Sequence, residues 1–284
     1  DTAIARWMTR PGSSMAPTER FPQTMTVSLT RREQLRYGEN PHQAAALYDL
    51  PGTAEPGVVT AKQLHGKQLS YNNLNDAAAA LELVKEFDRP AAAVIKHTNP
   101  CGCGVADDLA DAFERGYSGD PLAAFGGIVA LNRDIDLATA KAITEGQKFL
   151  EVIVAPGYTD DALALLQERW KNVRLLATGP LPTRWDRDAS ILEIKTILGG
   201  ALIQQRDLAD MSTSNWDHVA GPAPSDDQFA DLHLAWCCVK HVKSNAITLA
   251  KDGALVGAGD GLMDRVESCK IAVHKAGPRG EHRT

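Results

Sequence analysis

The sequence contains no apolar stretch approaching the roughly 18 residues that a membrane-spanning helix requires, so no membrane partner is expected. Basic residues are not in excess either. Thirty Lys and Arg against 36 Asp and Glu give a net charge of −6, which argues against a nucleic-acid partner. The N-terminus has no basic segment followed by an apolar one, so no secretion signal is expected. These absences predict a cytoplasmic globular protein in which an anionic ligand needs local cations.

Cysteine is scarce and does not follow the spacing of a disulfide framework or of a metal site. There are five cysteines, and Cys237 and Cys238 are adjacent, which favours a reducing compartment. Cys101 and Cys103 are one residue apart, whereas structural zinc sites use spacings of roughly two to four residues and a second ligand pair. The His-x-Glu and Pro-Cys-x-x-Cys pattern of zinc deaminases is also absent. No metal is therefore predicted.

Apolar runs of β type alternate with helical runs from Met25 onward. This alternation predicts an α/β fold, layered around a largely parallel sheet. The predicted strands lie at 91–95, 127–131, 151–155, 173–176, 191–194, 201–203, 246–250 and 254–256. The predicted helices lie at 77–87, with Asp76 at its start, and at 107–116, 136–147, 160–171 and 226–242, with another from about 263.

The chain is expected to comprise three parts. Residues 1–25 are polar and rich in proline and serine, as in a linker or the remnant of an upstream domain. A proline-bearing stretch near 179–182 separates a first subdomain at 26–180 from a second, truncated one at 181–284. No short repeat is evident, but the two subdomains look like α/β units of similar kind.

Reactive side chains follow the predicted strand at 91–95. Lys96 and His97 come directly after it, and the segment 98–104, which contains proline and glycine, is predicted to be a turn. Catalytic groups of α/β sheets cluster beyond the carboxyl ends of strands. A lysine there can hold an anion, and a histidine can move protons near neutral pH. The simpler alternative is a solvated lysine beside a histidine that ends a loop.

Three further segments carry polar groups suited to a phosphorylated ligand. Arg36 and Tyr37 place a guanidinium and a phenol beside Gly38, and a guanidinium suits a phosphate or a carboxamide. The segment 64–76 crowds amides before a helix start, where any single amide is more often a cap. The segment 240–246 is a basic turn containing Asn245, and it leads on to the glycine-rich stretch 257–261. A glycine-rich turn is weak evidence of phosphate binding when it stands alone.

Taken together and in this order, these segments resemble one family. The chain is similar to the AICAR transformylase domain of the bifunctional purine-biosynthesis enzyme that also carries IMP cyclohydrolase, over roughly residues 26–275. The motifs that carry the resemblance are LRYGENPHQAAALY (35–48), KQLHGKQLSYNNLND (62–76), VIKHTNPCG (94–102), GDPLAAFGGIVALN (119–132), FLEVIVAPGY (149–158) and VKHVKSNAITLAKDG (239–253).

The resemblance implies a fold and a reaction. The implied fold is a pair of cytidine-deaminase-like α/β/α subdomains in three layers, without the deaminase zinc, of which the second is incomplete here. The implied assembly is a homodimer with active sites built across its interface. The implied reaction transfers a formyl group from the co-substrate 10-formyltetrahydrofolate to the 5-amino group of AICAR, giving FAICAR and tetrahydrofolate in IMP synthesis.

The resemblance also assigns roles to residues. The implied catalytic group comprises His97 as general base, Lys96 as oxyanion donor and Asn245, which orients the formyl oxygen or the amine. The implied substrate-binding residues are Arg36, Tyr37 and Gly38 for the phosphate and carboxamide, Asn73 for the ribose and imidazole, Phe125, Gly126 and Glu151 for the folate, and Arg265 near the phosphate.

The chain departs from the family at both ends and at one turn. The cyclohydrolase domain is not present, so that activity is not expected of this chain. Gly259-Asp260-Gly261-Leu262 replaces the family's Gly-Ala-Gly-Gln turn, and a carboxylate near a phosphate repels it unless Arg265 or Lys251 offsets the charge. The ending at 277–284 matches nothing in the family. The alternatives are therefore a truncated remnant that binds nucleotide or dimerises without turnover, or a nucleotide-binding module in which Lys96 only neutralises phosphate.

Overall fold

A computed structural model describes residues 21–183, 186–209, 213–214 and 216–280. The chain divides into two compact units, one ending at Ala54 and the other beginning at Glu55. In the first unit, strands β1 (Thr30–Leu35) and β2 (Ala45–Asp49) form an antiparallel pair. Most of the predicted linker at 1–25 lies outside the described residues.

The second unit holds the other strands and the helices of the described chain. The strands are β3 (Lys62–His65), β4 (Ala91–Lys96), β5 (Asn99–Val105), β6 (Gly127–Leu131), β7 (Leu150–Ala155), β8 (Arg174–Ala177), β9 (Leu192–Ile197), β10 (Gly200–Gln205), β11 (Ile247–Lys251) and β12 (Ala254–Gly259). The helices are α1 (Tyr71–Val84), α2 (Leu109–Tyr117), α3 (Pro121–Ala124), α4 (Leu137–Thr144), α5 (Asp160–Arg169), α6 (Asp226–Lys240) and α7 (Arg265–Ala276).

Eight of these strands form one mixed sheet, in the order β11-β12-β5-β4-β6-β7-β8-β3. The prediction of a largely parallel sheet is wrong, because only the β6–β7 and β7–β8 pairs are parallel. Strand β4 pairs antiparallel with both β5 and β6. Only two residues separate β4 from β5, and a connection that short permits only an antiparallel hairpin. Strands β9 and β10 form a separate two-stranded hairpin.

The predicted turn after Lys96 is therefore mostly strand β5, although it contains a proline and two glycines. The glycines allow α2 to approach the sheet closely. A Cβ atom on Gly102 would lie 1.8 Å from the carbonyl oxygen of Gly116, and one on Gly104 would lie 2.2 Å from that of Ala112. These glycines mark a close contact between a strand and a helix rather than a turn.

Helices cover both faces of the sheet, because the central strands are apolar on both sides. Residues 91–95 of β4 and 127–131 of β6 are all buried. In β4, Ala92 and Val94 belong to a core cluster with residues of α2, α4 and α5. The alternate residues point to the opposite face, where α1 packs against β4 and β6. This arrangement confirms the α/β class.

The order helix, strand, strand, helix occurs twice, as α1-β4-β5-α2 and as α6-β11-β12-α7. Each position in the first copy corresponds to the position 155 residues later in the second copy. Ser70 and Ser225 each form a capping box at the start of the first helix. Gly257 and Gly259 correspond to Gly102 and Gly104, and they too lie against a helix, α7, rather than in the predicted glycine-rich turn. The second unit thus contains two parts with the same order of elements.

A buried cluster of charges joins the ends of α1 and α6 to the segment around β9 and β10. Glu86 accepts hydrogen bonds from Arg187 at 2.8 Å, Lys240 at 3.0 Å and His241 at 3.3 Å. Around it, Arg206 bonds Glu82 at 2.8 Å. The ion cluster consists of Glu55, Glu82, Lys85, Glu86, Arg187, Arg206, Lys240 and His241.

The carboxylates of the ion cluster make the free energy of unfolding depend on pH. Burial by itself would raise the pKa of Glu86, but hydrogen bonds from His241 and Lys240 outweigh it and lower the pKa from 4.5 to about 2. Burial also opposes ionisation of Glu55, yet bonds from Arg206 and Lys85 lower its pKa to about 2.

Because these pKa values are lower in the folded chain, the unfolded chain binds protons more readily as the pH falls. The free energy of unfolding should therefore fall by about 1–2 kcal/mol between about pH 6 and about pH 4. Urea denaturation across that range measures this slope, and Glu86→Gln should make it shallower. A slope that Glu86→Gln leaves unchanged would contradict the assignment.

Candidate active site

The end of β4 carries a lysine whose ammonium group is held in place. Lys96 Nζ donates to the carbonyl oxygens of Phe125 at 3.0 Å and Gly126 at 3.1 Å. Gly126 has φ +68, and a Cβ atom there would lie 3.4 Å from Lys96 Nζ. An ammonium group has three donors, so two are bonded to backbone and the third can serve a ligand.

His97 occupies the turn between β4 and β5 and is exposed. Both residues of this turn are left-handed, with φ 52 at His97 and φ 64 at Thr98. Asp76 of α1 accepts hydrogen bonds from both backbone N–H groups, 3.2 Å from His97 N and 2.8 Å from Thr98 N. The turn therefore fixes the histidine backbone beside Lys96.

This use of Asp76 differs from the prediction that it begins a helix. Helix α1 begins earlier, at Tyr71, because Ser70 and Asn73 form the capping box. Asp76 is thus free of any capping role and reaches the neighbouring hairpin. Sequence reasoning missed it as a residue of the site. The internal repeat is the sequence signal that could have identified Asp76, because Asp231 occupies the equivalent position 155 residues later.

Asn245 lies near the same end of β4 through a chain of hydrogen bonds. Asn99 donates to the carbonyl of His97 at 3.2 Å and accepts from Lys243 N at 3.4 Å. Asn245 follows two residues later, and its Nδ2 donates to the carbonyls of Leu262 at 2.9 Å and Met263 at 3.1 Å. Lys96 and His97 therefore lie at the same end of the strands as the segment that precedes β11 and carries Asn245.

An aromatic pair lies next to Lys96, and strand β7 carries an ion pair. Phe125 is 57% exposed, and its ring centroid lies 5.4 Å from that of Phe149. Glu151 follows in β7 and is paired with Arg174 of β8. The exposed Phe125 offers an apolar surface for a flat ligand ring, whereas Glu151 already has a cation as partner.

Asn73 and Arg265 lie at the N-terminal ends of helices. Asn73 Oδ1 accepts from Ser70 N at 3.2 Å, so its amide acts as a cap and its Nδ2 is the group left for a ligand. Arg265 is exposed and begins α7, which is joined to Asn245 through the 2.9 Å bond from Ser268 Oγ to the Asn245 carbonyl.

Arg36, Tyr37 and Gly38 belong to the first unit and follow β1. The Arg36 guanidinium carbon lies 5.8 Å from the centroid of the Tyr37 ring. Gly38 is buried, and its N–H donates to the carbonyl of Gln43 at 2.7 Å. These three residues thus form a compact local group with an exposed guanidinium.

The Cys101 thiol near the site is protonated at neutral pH. Burial raises the pKa of Cys101 to about 12, and its Sγ donates to the carbonyl of Val94 at 3.4 Å. Within the described ranges, no group of three or more His, Cys, Asp or Glu side chains is arranged to hold a metal ion. No helix in the described part of the chain combines the length and apolar character that crossing a bilayer demands.

Comparisons with known proteins agree on one family. The family profile described as "AICARFT/IMPCHase bienzyme" matches residues 1–275. The chain is 47% identical over 263 residues to the bifunctional purine biosynthesis protein PurH of Oceanobacillus iheyensis, covering 93% of this chain and 50% of that protein. It is 46% identical over 263 residues to the proteins of the same name from Bacillus cereus strain 03BB102 and Bacillus anthracis, with the same coverage.

The chain thus spans about half the length of the curated relatives it matches. The shared name of these relatives places them in purine biosynthesis. Because the family profile extends over nearly all of the sequence, the chain belongs to the AICARFT/IMPCHase family.

Proposed function

We propose that this chain transfers a formyl group from 10-formyltetrahydrofolate to the 5-amino group of AICAR, giving FAICAR and tetrahydrofolate. The observation that carries the proposal is the juxtaposition of a fixed Lys96 ammonium with an exposed His97 at the end of a buried strand, within this family. Asn245, joined to the same turn through Asn99, completes the group.

The reaction needs both a base and an oxyanion donor. The AICAR amine is a weak nucleophile, because its lone pair is delocalised into the imidazole and the carboxamide. As its nitrogen attacks the formyl carbon, His97 takes the amine proton. The third N–H of Lys96 donates to the oxyanion of the tetrahedral intermediate. The bond from the formyl carbon to the folate nitrogen then breaks, and the proton taken by His97 returns to that nitrogen with the help of Lys96.

The remaining residues bind the two substrates in this proposal. The Arg36 guanidinium and the Tyr37 hydroxyl, next to Gly38, contact the phosphate and carboxamide of AICAR. Asn73 contacts the ribose and imidazole through Nδ2, and Arg265 offsets the negative charge near the phosphate. Phe125, Gly126 and Glu151 border the folate, with the exposed Phe125 ring against its pterin.

The proposal includes an assembly and a location. We place the chain in the cytoplasm as a homodimer whose active sites lie across the interface, with subdomains of the cytidine-deaminase kind. The repeated helix-strand-strand-helix order supports two such subdomains. A second candidate function is a binding protein that holds AICAR or dimerises without turnover.

The proposal is tested by following tetrahydrofolate production with both substrates, alongside AICAR binding by calorimetry. Product that depends on both substrates supports the transfer reaction. Binding of AICAR with no product would overturn it in favour of the binding protein. If the chain neither bound AICAR nor formed product, both the transfer reaction and a role in AICAR binding would be excluded.

Replacing Lys96 with methionine should lower kcat about 100-fold, because a preorganised donor to the oxyanion is lost. Methionine keeps most of the apolar stem, so AICAR binding should be retained. The matched control is Lys141→Met on α4, where an exposed lysine lies outside the site and the charge change is the same. Equal losses of kcat in the two variants would contradict the role given to Lys96.

A further inference from the structure

The backbone conformation of the turn that carries His97 is energetically unfavourable for the two residues in it. Two-residue hairpin turns with positive φ at both positions favour asparagine, aspartate and glycine. Here the second position is Thr98, with φ 64, and a β-branched residue in this region is a genuine outlier. Thr98 also donates its hydroxyl to the carbonyl of His97 at 2.7 Å. The turn must therefore be held by something outside it.

Asp76, on the neighbouring helix α1, stabilises the turn by accepting hydrogen bonds from it. Its two carboxylate oxygens accept the two backbone N–H groups of the turn separately, Oδ2 from His97 and Oδ1 from Thr98. An ionised acceptor makes such hydrogen bonds shorter and stronger than neutral ones. The carboxylate also belongs to a helix that packs against the sheet, so it is itself fixed.

The second helix-strand-strand-helix repeat has the same arrangement, in which an aspartate accepts two backbone hydrogen bonds from a turn, but its turn contains no histidine. Asp231 of α6 accepts from Asp252 N and Gly253 N, each at 2.8 Å, in the turn between β11 and β12. Asp252 has φ 54 and Gly253 has φ 72, so the geometry of the turn is the same. Glycine takes the position of Thr98, and aspartate takes that of His97. The arrangement is therefore a feature of the fold, and only the copy held by Asp76 carries an imidazole.

We propose that Asp76 is a positioning residue for the transfer reaction, which fixes the direction of the His97 imidazole by holding the backbone of its turn. This inference rests on the proposed function, since it assigns to Asp76 a role in placing the general base. Asp76 contacts the backbone of His97 rather than any substrate. Asp231 serves as the natural comparison, because it makes the same two hydrogen bonds far along the chain.

The experiment compares Asp76→Asn with Asp231→Asn in the full chain. Each variant places an amide N–H against one of the two backbone N–H groups, so the two should lose stability to a similar extent. Only Asp76→Asn should lower kcat, by about tenfold to a hundredfold, because a small misplacement of a reacting group has effects of that size. KM for AICAR should stay unchanged. Adding Thr98→Gly should restore part of kcat, since glycine adopts the turn without support.

Amide hydrogen exchange of the peptide spanning residues 96–99 gives a readout that does not need turnover. We expect faster exchange there in Asp76→Asn and not in Asp231→Asn. Equal losses of kcat in the two variants, or unchanged exchange at 96–99, would overturn the inference. Absence of turnover in the unsubstituted chain would refute the proposed function instead. In that case the exchange comparison alone decides whether Asp76 holds the turn.

Discussion

Replacing Glu86 with alanine should lower the free energy of unfolding by about 3–5 kcal/mol, because removal of one partner from a buried ion pair is strongly destabilising. Glu86 is 3% exposed and is the partner of Arg187, Lys240 and His241 together. Its loss would leave the buried Arg187 with Glu82 and the buried Lys240 with Asp207, which lies 3.9 Å away. A stability loss of that size is a large part of what a typical domain has.

The effect should depend on burial rather than on charge alone. The matched control is Glu267→Ala, which removes an exposed partner of Lys270 and should cost less than about 1 kcal/mol. Urea denaturation followed by circular dichroism measures both changes. If Glu86→Ala lost no more stability than Glu267→Ala, the ion cluster would not be a stabilising element of this fold.

The ion cluster also bears on the candidate active site. Lys240 and His241 are the last residue of α6 and the residue after it, and they precede the segment that carries Asn245. By holding these two side chains, Glu86 fixes where that segment leaves the helix. Glu86→Ala should therefore loosen residues 241–245 as well as lower stability, and amide exchange of that segment reports the change.

The buried strands were the most predictable part of the fold. Strands β4, β6 and β7 agree with the predicted runs to within one residue, because a strand buried on both faces is continuously apolar. Strand β5 was predicted as a turn, because Pro100, Gly102 and Gly104 are turn-forming residues. What keeps it extended is the close approach of α2, a contact between distant parts of the chain that no local pattern reveals.

The candidate site was predictable only in part. Lys96 and His97 stand out locally, since both follow a buried strand directly. The role of Asp76 depends on a hydrogen bond from a residue 21 positions later in the sequence, and the partners of Glu86 lie 101 or more positions later. Such long-range pairs leave no periodic signal in one sequence. The 155-residue correspondence of Asp76 with Asp231 is the exception, because it can be read by aligning the chain with itself.

Replacing His97 should have the largest effect on the proposed reaction. A positioned general base contributes about 10²–10⁴-fold to a rate, so loss of the imidazole should lower kcat by that factor. Glycine is the informative substitution, because φ is 52 at this position and alanine would add backbone strain to the loss of the base. His97→Gly keeps the turn and its two hydrogen bonds to Asp76, so AICAR binding should persist.

Imidazole in solution separates a chemical role of His97 from a structural one. Because His97 is exposed, a small base can reach the position that its side chain leaves, and kcat of His97→Gly should rise with imidazole concentration. His97→Asn is the control, since asparagine tolerates the left-handed turn and fills part of the space. It should lose the same activity and show weaker rescue. If His97→Gly kept full activity, or lost activity that no added base restored, proton transfer by this imidazole would be refuted.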